Sequence, residues 1–193
     1  MKVAIIGKGH VGSALAAGLT KSDHEIRFGH RDPKEPVSAA ARWGEIVILA
    51  VPYENVRDAV KEIGSAADGK PLVDVTNALD EYSDLAIGFT TSSAEEVQKL
   101  LPKARVVKAF NTVFAKNQKT GKVGGEQLTA FVAGDDLEAK KTVMRLSMDI
   151  GFEPVDAGPL RAARYLEPMA KLIIDLAFTL NMGTDIGYKL VKK

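Results

Sequence analysis

The residues best placed to do chemistry stand at the N-terminus. Gly7-Lys8-Gly9-His10-Val11-Gly12 fits the pattern G-x-G-x-x-G. Each glycine serves a separate purpose. Gly7 permits a tight turn, Gly9 lets backbone approach a pyrophosphate, and Gly12 lets a helix pack on a strand. The run follows the short apolar segment Val3–Ile6 and opens an apolar-periodic stretch, Val11 to Leu19. In that context the first N–H groups of the helix, and its positive dipole end, are aimed at phosphate. The chemistry implied is dinucleotide binding. The plain alternative is a glycine-rich turn in an unrelated α/β protein.

A second stretch, FGHRDPK at residues 28–34, bears on which dinucleotide. Asp32 lies near the spacing expected for an acid that bonds the ribose hydroxyls, which favours NAD. The strand ends at Phe28 or Gly29, however, so Asp32, followed by Pro33, falls in the turn beyond it. Arg31 and Lys34 can instead clasp a 2′-phosphate, for which a guanidinium fork is suited. That reading selects NADP, with Asp32 as a turn residue. An ordinary surface arginine is the plain alternative for Arg31.

Other chemistry finds little support. The chain has no cysteine, which removes disulfides, thiolate metal sites and thiol nucleophiles. Its three histidines, His10, His24 and His30, have no metal-ligand spacing, so no metal site is expected. No Ser–His–Asp pattern, HExxH or carboxylate pair stands out. Hydride transfer needs none of these, because the cofactors carry the chemistry and the protein stacks, orients and dries the rings. Asn77, Asn111 and Thr112 supply donors and acceptors at strand ends, where such sheets bind ligands. Asn111 and Thr112 are the candidate catalytic residues. All three also suit strand ends and turns without any ligand.

The elements that position these groups alternate regularly. Buried strands are expected at Val3–Ile6, Glu25–Phe28, Ile46–Val51, Pro71–Val75, Val106–Phe110, Thr129–Ala133 and Phe152–Val155. Helices are expected at Val11–Leu19, Val37–Trp43, Tyr53–Ala66, beyond a Ser93–Glu96 capping box, at Leu137–Ile150 and from Arg161 to Met182. This is an α/β chain with a Rossmann-type, doubly wound, mostly parallel sheet and a C-terminal helical tail. Only about 17 residues separate the second strand from Ile46, too few for a helix plus a further strand. The sheet is therefore expected to be shortened after strand 2. Residues 1–160 form the NADP-binding domain, and 161–193 a helical segment packing on it or on a dimer partner. With 193 residues, 46% hydrophobic, 26% charged and net charge +1, nothing points to nucleic acid or disorder. No signal-peptide cleavage site and no membrane span is expected, and a cytoplasmic location fits the lack of cysteine.

Several runs carry a resemblance: KVAIIGKGHVG, GHRDP, LAVPYENV, SSAEEVQKLLP, VVKAFNTVFA, AGDDLEAKKTV and VDAGPLRAARYLEPMAKLI. In this order they resemble the coenzyme F-420-dependent NADP oxidoreductase family, and also the cytoplasmic reductase domain of the STEAP metalloreductases. The resemblance implies NADP(H) as cofactor and a small-molecule redox acceptor, either deazaflavin F-420 or FMN/FAD. It places a pyrophosphate loop on Lys8, Gly9, His10 and Val11, and a 2′-phosphate pair on His30 and Arg31, with Lys34 nearby. It lines the nicotinamide side with Val51, Pro52, Tyr53, Asn77 and Asn111 to Ala115. A homodimer is also implied. The deazaflavin enzymes commonly carry a histidine where this chain has Asn111. Two other functions compete: an NADP-dependent dehydrogenase of a small substrate, and a non-catalytic NADP-binding sensor module.

Overall fold

The computed structural model describes residues 1–192, so Lys193, the end of the expected tail segment, lies outside the described residues. The chain forms β1 (Lys2–Ile6), α1 (His10–Leu19), β2 (Glu25–Gly29), α2 (Val37–Trp43), β3 (Ile46–Leu49) and α3 (Val56–Ile63). It continues through β4 (Pro71–Asp74), α4 (Ser93–Leu100), β5 (Arg105–Lys108), the short α5 (Ala115–Gln118) and the small hairpin β6 (Lys122–Val123) and β7 (Glu126–Gln127). Then come β8 (Thr129–Gly134), α6 (Leu137–Ile150), β9 (Glu153–Gly158) and α7 (Ala163–Ile174).

Seven strands form one sheet in the order β2-β1-β3-β4-β5-β8-β9. All neighbours are parallel except β5 and β8. The burial of each strand follows from its residues. The four apolar residues of β3 and Val3–Ile6 of β1 are buried on both faces, as central parallel strands must be. In β2 the side chains alternate between exposed Glu25 and Arg27 and half-buried Ile26 and Phe28, which suits an edge. The chain between β2 and β3 holds α2 and no strand, so β2 remains at the edge. The expected shortening after strand 2 is therefore present.

Helices cover both faces. On one, Leu15 and Leu19 of α1 and Val143 and Leu146 of α6 pack with Phe110 and Phe152. On the other, Ala40, Val60, Ile63 and Val97 of α2, α3 and α4 pack with Leu160 and Ala163.

Three local expectations need correction. Tyr53–Ala66 is not one helix. A 3-10 turn at Tyr53–Asn55 precedes α3, and another at Gly64–Ala67 follows it, where Gly64 adopts φ 47°. The capping box before α4 is one residue earlier than Ser93–Glu96. Ser92 caps, its Oγ accepting from Glu95 N and donating to the Glu95 carboxylate. Ser93 is free to face the sheet instead. The last long helix also changes character along its length: a 3-10 turn at Leu160–Ala162 leads into α7, and a π-helical turn, Asp175–Thr179, ends it. Beyond it the tail returns to β8, where Thr129 N donates to Tyr188 O and Leu190 N to Thr129 Oγ1. Among the described residues, no helix is long and apolar enough to cross a membrane.

Candidate functional site

The glycine run leaves β1 and turns straight into α1. Gly7 sits at φ 108°, a region costly to other residues. A β-carbon there would lie 2.2 Å from the Ala50 carbonyl oxygen, and one on Gly12 would lie 2.1 Å from the Gly7 carbonyl oxygen. Both glycines are demanded by packing. Gly9 is different, because a β-carbon there meets nothing within 4 Å. The space beside Gly9 is open, as a loop that must admit a phosphate requires. No side chain caps α1, and no acid stands in its first turn. Its first N–H groups and dipole are thus unneutralised by the protein.

A cavity of about 550 Å³ opens from this turn. It brings together Gly7, Lys8, Gly9, His30, Arg31, Val51 and Pro52 from three successive strand ends. His10, Val11 and Gly12 lie in the first turn of α1, adjacent to but not lining it. Arg31 is exposed and, among the described residues, makes no ion pair. Asp32 is a turn residue: its Oδ1 accepts from Lys34 N at 2.9 Å and its carbonyl from Glu35 N at 2.9 Å. Lys34 is not brought to Arg31's cavity. It lines a separate one of about 360 Å³ against β2 and α2, with Phe28 and Glu35.

Sequence reasoning missed the far wall of the main cavity, formed by Asn55, Asp58, Ala59 and Glu62. α3 follows the end of β3, where Ala50, Val51 and Pro52 line the cavity, and so stands beside it. The available signal was the i, i+4 spacing of Asp58 and Glu62, a like-charge pair that helix stability alone disfavours.

The other end of the site lies where β4 and β5 finish. Asn111 Nδ2 donates to Asn77 Oδ1 and to the Leu166 carbonyl, each at 2.9 Å, and Asn77 Nδ2 donates to the Asn111 carbonyl at 3.1 Å. Two of these acceptors are backbone carbonyls, so both amide orientations are fixed by the network. The interlock leaves buried Asn111 Oδ1 without a donor. Just before it, Phe110 is buried at φ 64°, a strained setting for an aromatic residue. The buried Gln118 side chain secures this turn by donating to the Phe110 and Val113 carbonyls. Thr112 is buried within the turn and Ala115 begins α5. Tyr53 donates to Glu96 Oε2 at 3.2 Å. Burial, followed by the Glu96 charge, pushes its phenol up to about 12, so it stays protonated at neutral pH.

Under this pair lies a polar cluster that the sequence did not reveal. Lys108, Asp74 and Glu167 are each fully buried. Lys108 Nζ donates to Asp74 Oδ2 at 2.9 Å, to Glu167 Oε1 at 2.7 Å and to the Thr76 carbonyl. Thr76 N and Oγ1 both donate to Asp74 Oδ1, and Ser93 N donates to Glu167 Oε2. Burial alone would depress the Lys108 ammonium, but Asp74 and Glu167 hold it above its ordinary value. Glu167 ties α7 to β4 and β5, and a bidentate Arg164–Glu95 pair ties it to α4. Among the described residues, no three His, Asp or Glu side chains assemble as a metal site.

A cavity at the carboxyl ends of parallel strands, opening from a glycine turn into a helix, marks a Rossmann-type dinucleotide-binding protein. Comparison with known proteins narrows this class. Residues 2–78 match the family described as NADP oxidoreductase, coenzyme F420-dependent. Along nearly its whole length the chain is similar to the F420-dependent NADP reductase of Methanocaldococcus jannaschii. Identity there is 30% over 222 aligned positions, covering 98% of this chain and 94% of that protein. The chain belongs to this family of NADP-dependent oxidoreductases. It is also 33% identical to metalloreductase STEAP3 of Rattus norvegicus over 86% of its own length, but spans only 36% of that protein. A crystal structure of a putative F420-dependent NADP reductase from Arthrobacter sp. FB24 has the same fold, with a TM-score of 0.93, 28% identity and full coverage of both chains.

Proposed function

We propose that this protein binds NADP(H) in the 550 Å³ cavity and transfers hydride between it and a flavin-like acceptor, deazaflavin F-420 or FMN/FAD. The observation that carries the reading is the joining, in one cavity, of the open glycine turn and an unpaired Arg31. The backbone N–H groups at the start of α1 hold the pyrophosphate, and Arg31 with His30 holds the 2′-phosphate. When bound, the nicotinamide supplies the hydride chemistry. In this reading the ring lies toward the β4 and β5 ends, which the Asn77–Asn111 interlock and the strained Phe110 turn hold in place; Val51 and Pro52 line the cavity, and Asn77 and Asn111 stand outside its lining. Rigid walls of this kind fit a reaction whose requirement is near-attack geometry rather than a protein acid or base.

The test is stopped-flow oxidation of NADPH with F-420, FMN, FAD and riboflavin in turn. Turnover is expected with at least one of them. Tight NADPH binding with no oxidation by any acceptor refutes the redox reading and leaves a sensor, whereas oxidation only by a small carbonyl or imine identifies a dehydrogenase.

The same reading includes a homodimer. Tyr165, Leu172, Phe178, Leu180 and Met182 are more than half exposed on and after α7, an apolar concentration that a second copy would cover. Sedimentation is expected to show a dimer that Leu172→Glu dissociates. A monomeric wild-type protein rejects it.

A further inference from the structure

Lys8 occupies the second position of the glycine run, where the backbone is what a pyrophosphate requires. Its side chain runs elsewhere. The ammonium lies 5.4 Å from the ring centroid of Phe28, the penultimate residue of β2, and ends on both carboxylate oxygens of Glu35, at 2.8 and 3.0 Å. Lys8, His30 and Arg31 line the same cavity, while the two groups that the ammonium touches, Phe28 and Glu35, line the adjoining one. Glu35 belongs to the same turn: its carbonyl accepts from His30 N, and its N–H donates to the Asp32 carbonyl at 2.9 Å. Lys34, the cation that spacing suggested as Arg31's partner, lines only the adjoining cavity, whereas Lys8 lines the one that Arg31 lines.

We infer that the Lys8 ammonium is the second cation for the 2′-phosphate, and that Glu35 is its competing counter-ion in the free protein. This rests on the NADP reading above and gives Lys8 a selective role beyond that of its backbone. The pair is well suited to exchange. The two side chains are 46% and 35% exposed, and an ion pair so solvated is weak. A phosphate dianion beside Arg31 offers the ammonium a stronger partner. Glu35 thus sets how much the 2′-phosphate gains over a plain ribose, by holding Lys8 until the phosphate arrives.

The experiment measures Kd for NADPH and NADH by fluorescence titration in four proteins: wild type, Lys8→Met, Glu35→Gln and the double variant. Lys8→Met is expected to weaken NADPH about tenfold with NADH nearly unchanged. Glu35→Gln is expected to tighten NADPH about threefold, again with little effect on NADH. The double variant should match Lys8→Met, because Glu35 acts only through Lys8. Equal losses of NADPH and NADH in Lys8→Met would mean that the ammonium serves the pyrophosphate and would overturn the proposal. So would a gain from Glu35→Gln that persists without Lys8, since that is a bulk charge effect. If the wild type binds neither dinucleotide, the functional reading fails instead. If it binds NADPH selectively and neither variant changes the ratio, only the role of Lys8 and Glu35 fails.

Discussion

Replacing Arg31 by alanine is expected to weaken NADPH binding by about 1–3 kcal/mol, roughly 5- to 150-fold, and to leave NADH within about twofold. The magnitude is that of a charge-assisted pair to phosphate. The selectivity follows because only the 2′-phosphate distinguishes the two dinucleotides. Arg31 pairs with no carboxylate among the described residues, so Arg31 itself gives up no ion pair when the phosphate binds. Its neighbour Asp32 is committed to the turn through Lys34 N and Glu35 N. Neither Asp32 nor Glu35, the acids of this turn, lines the cavity that Arg31 lines, where a ribose hydroxyl would have to meet them. Isothermal titration of both dinucleotides against both proteins checks this. Equal losses for NADPH and NADH would remove Arg31 from phosphate recognition and reopen the choice of cofactor. Raising the ionic strength should also weaken NADPH more in the wild type than in the variant, since exposed charge pairs are screened.

Much of this geometry was legible because it is local. A strand, a glycine turn and a helix are adjacent in sequence, so spacing alone located the turn from which the cavity opens. The 17-residue gap after β2 likewise set an upper limit on structure that the fold obeys. Where the sequence misled, the cause was a tight turn or a long-range contact. Lys34 is three residues from Arg31 and yet faces another cavity, because the turn closed by Asp32 reverses the chain between them. Asn77 and Asn111 read as two free amides, but they are 34 residues apart in sequence and spend their donors on each other, on the Asn111 carbonyl and on Leu166. The capping box shifted by one residue for a similar reason: Ser93 is held from below by Thr76 and Glu167, so Ser92 is left to cap. The Lys108 cluster was invisible because a lysine at the end of VVK, an aspartate in LVD and a glutamate in YLEP each look like an ordinary strand or helix boundary. Only the packing of α7 across β4 and β5 brings them together.

That cluster supports the second large effect. Lys108→Met is expected to destabilise the fold by about 3–5 kcal/mol, the typical consequence of removing one partner from a buried ion pair. Two carboxylates, Asp74 and Glu167, are left at zero exposure without the ammonium that both share. In a chain of this length each kcal/mol corresponds to about 2–4 °C in Tm, so a fall of roughly 6–20 °C is expected in thermal unfolding. The double variant Lys108→Met/Glu167→Gln should recover part of the loss. Glutamine is neutral and can still accept from Ser93 N, which leaves a single uncompensated carboxylate. The wild-type contribution has a defined pH range. Lys108 is held above its ordinary value in the folded state, so its stabilisation is complete below the unfolded lysine pKa and is lost only as pH rises through the folded one. Between pH 6 and 9 the difference between wild type and Lys108→Met should therefore show no loss arising from deprotonation of Lys108. The effect should reach the site as well. Lys108 stands three residues before Asn111, Asp74 three before Asn77, and Glu167 directly follows the Leu166 whose carbonyl orients Asn111. A residual folded population of Lys108→Met should thus transfer hydride more slowly, while the affinity set by Arg31 and the glycine turn is kept. A Tm within about 2 °C of wild type would show that the buried charges are compensated by something other than Lys108, and would end this account of how α7 is fixed to the sheet.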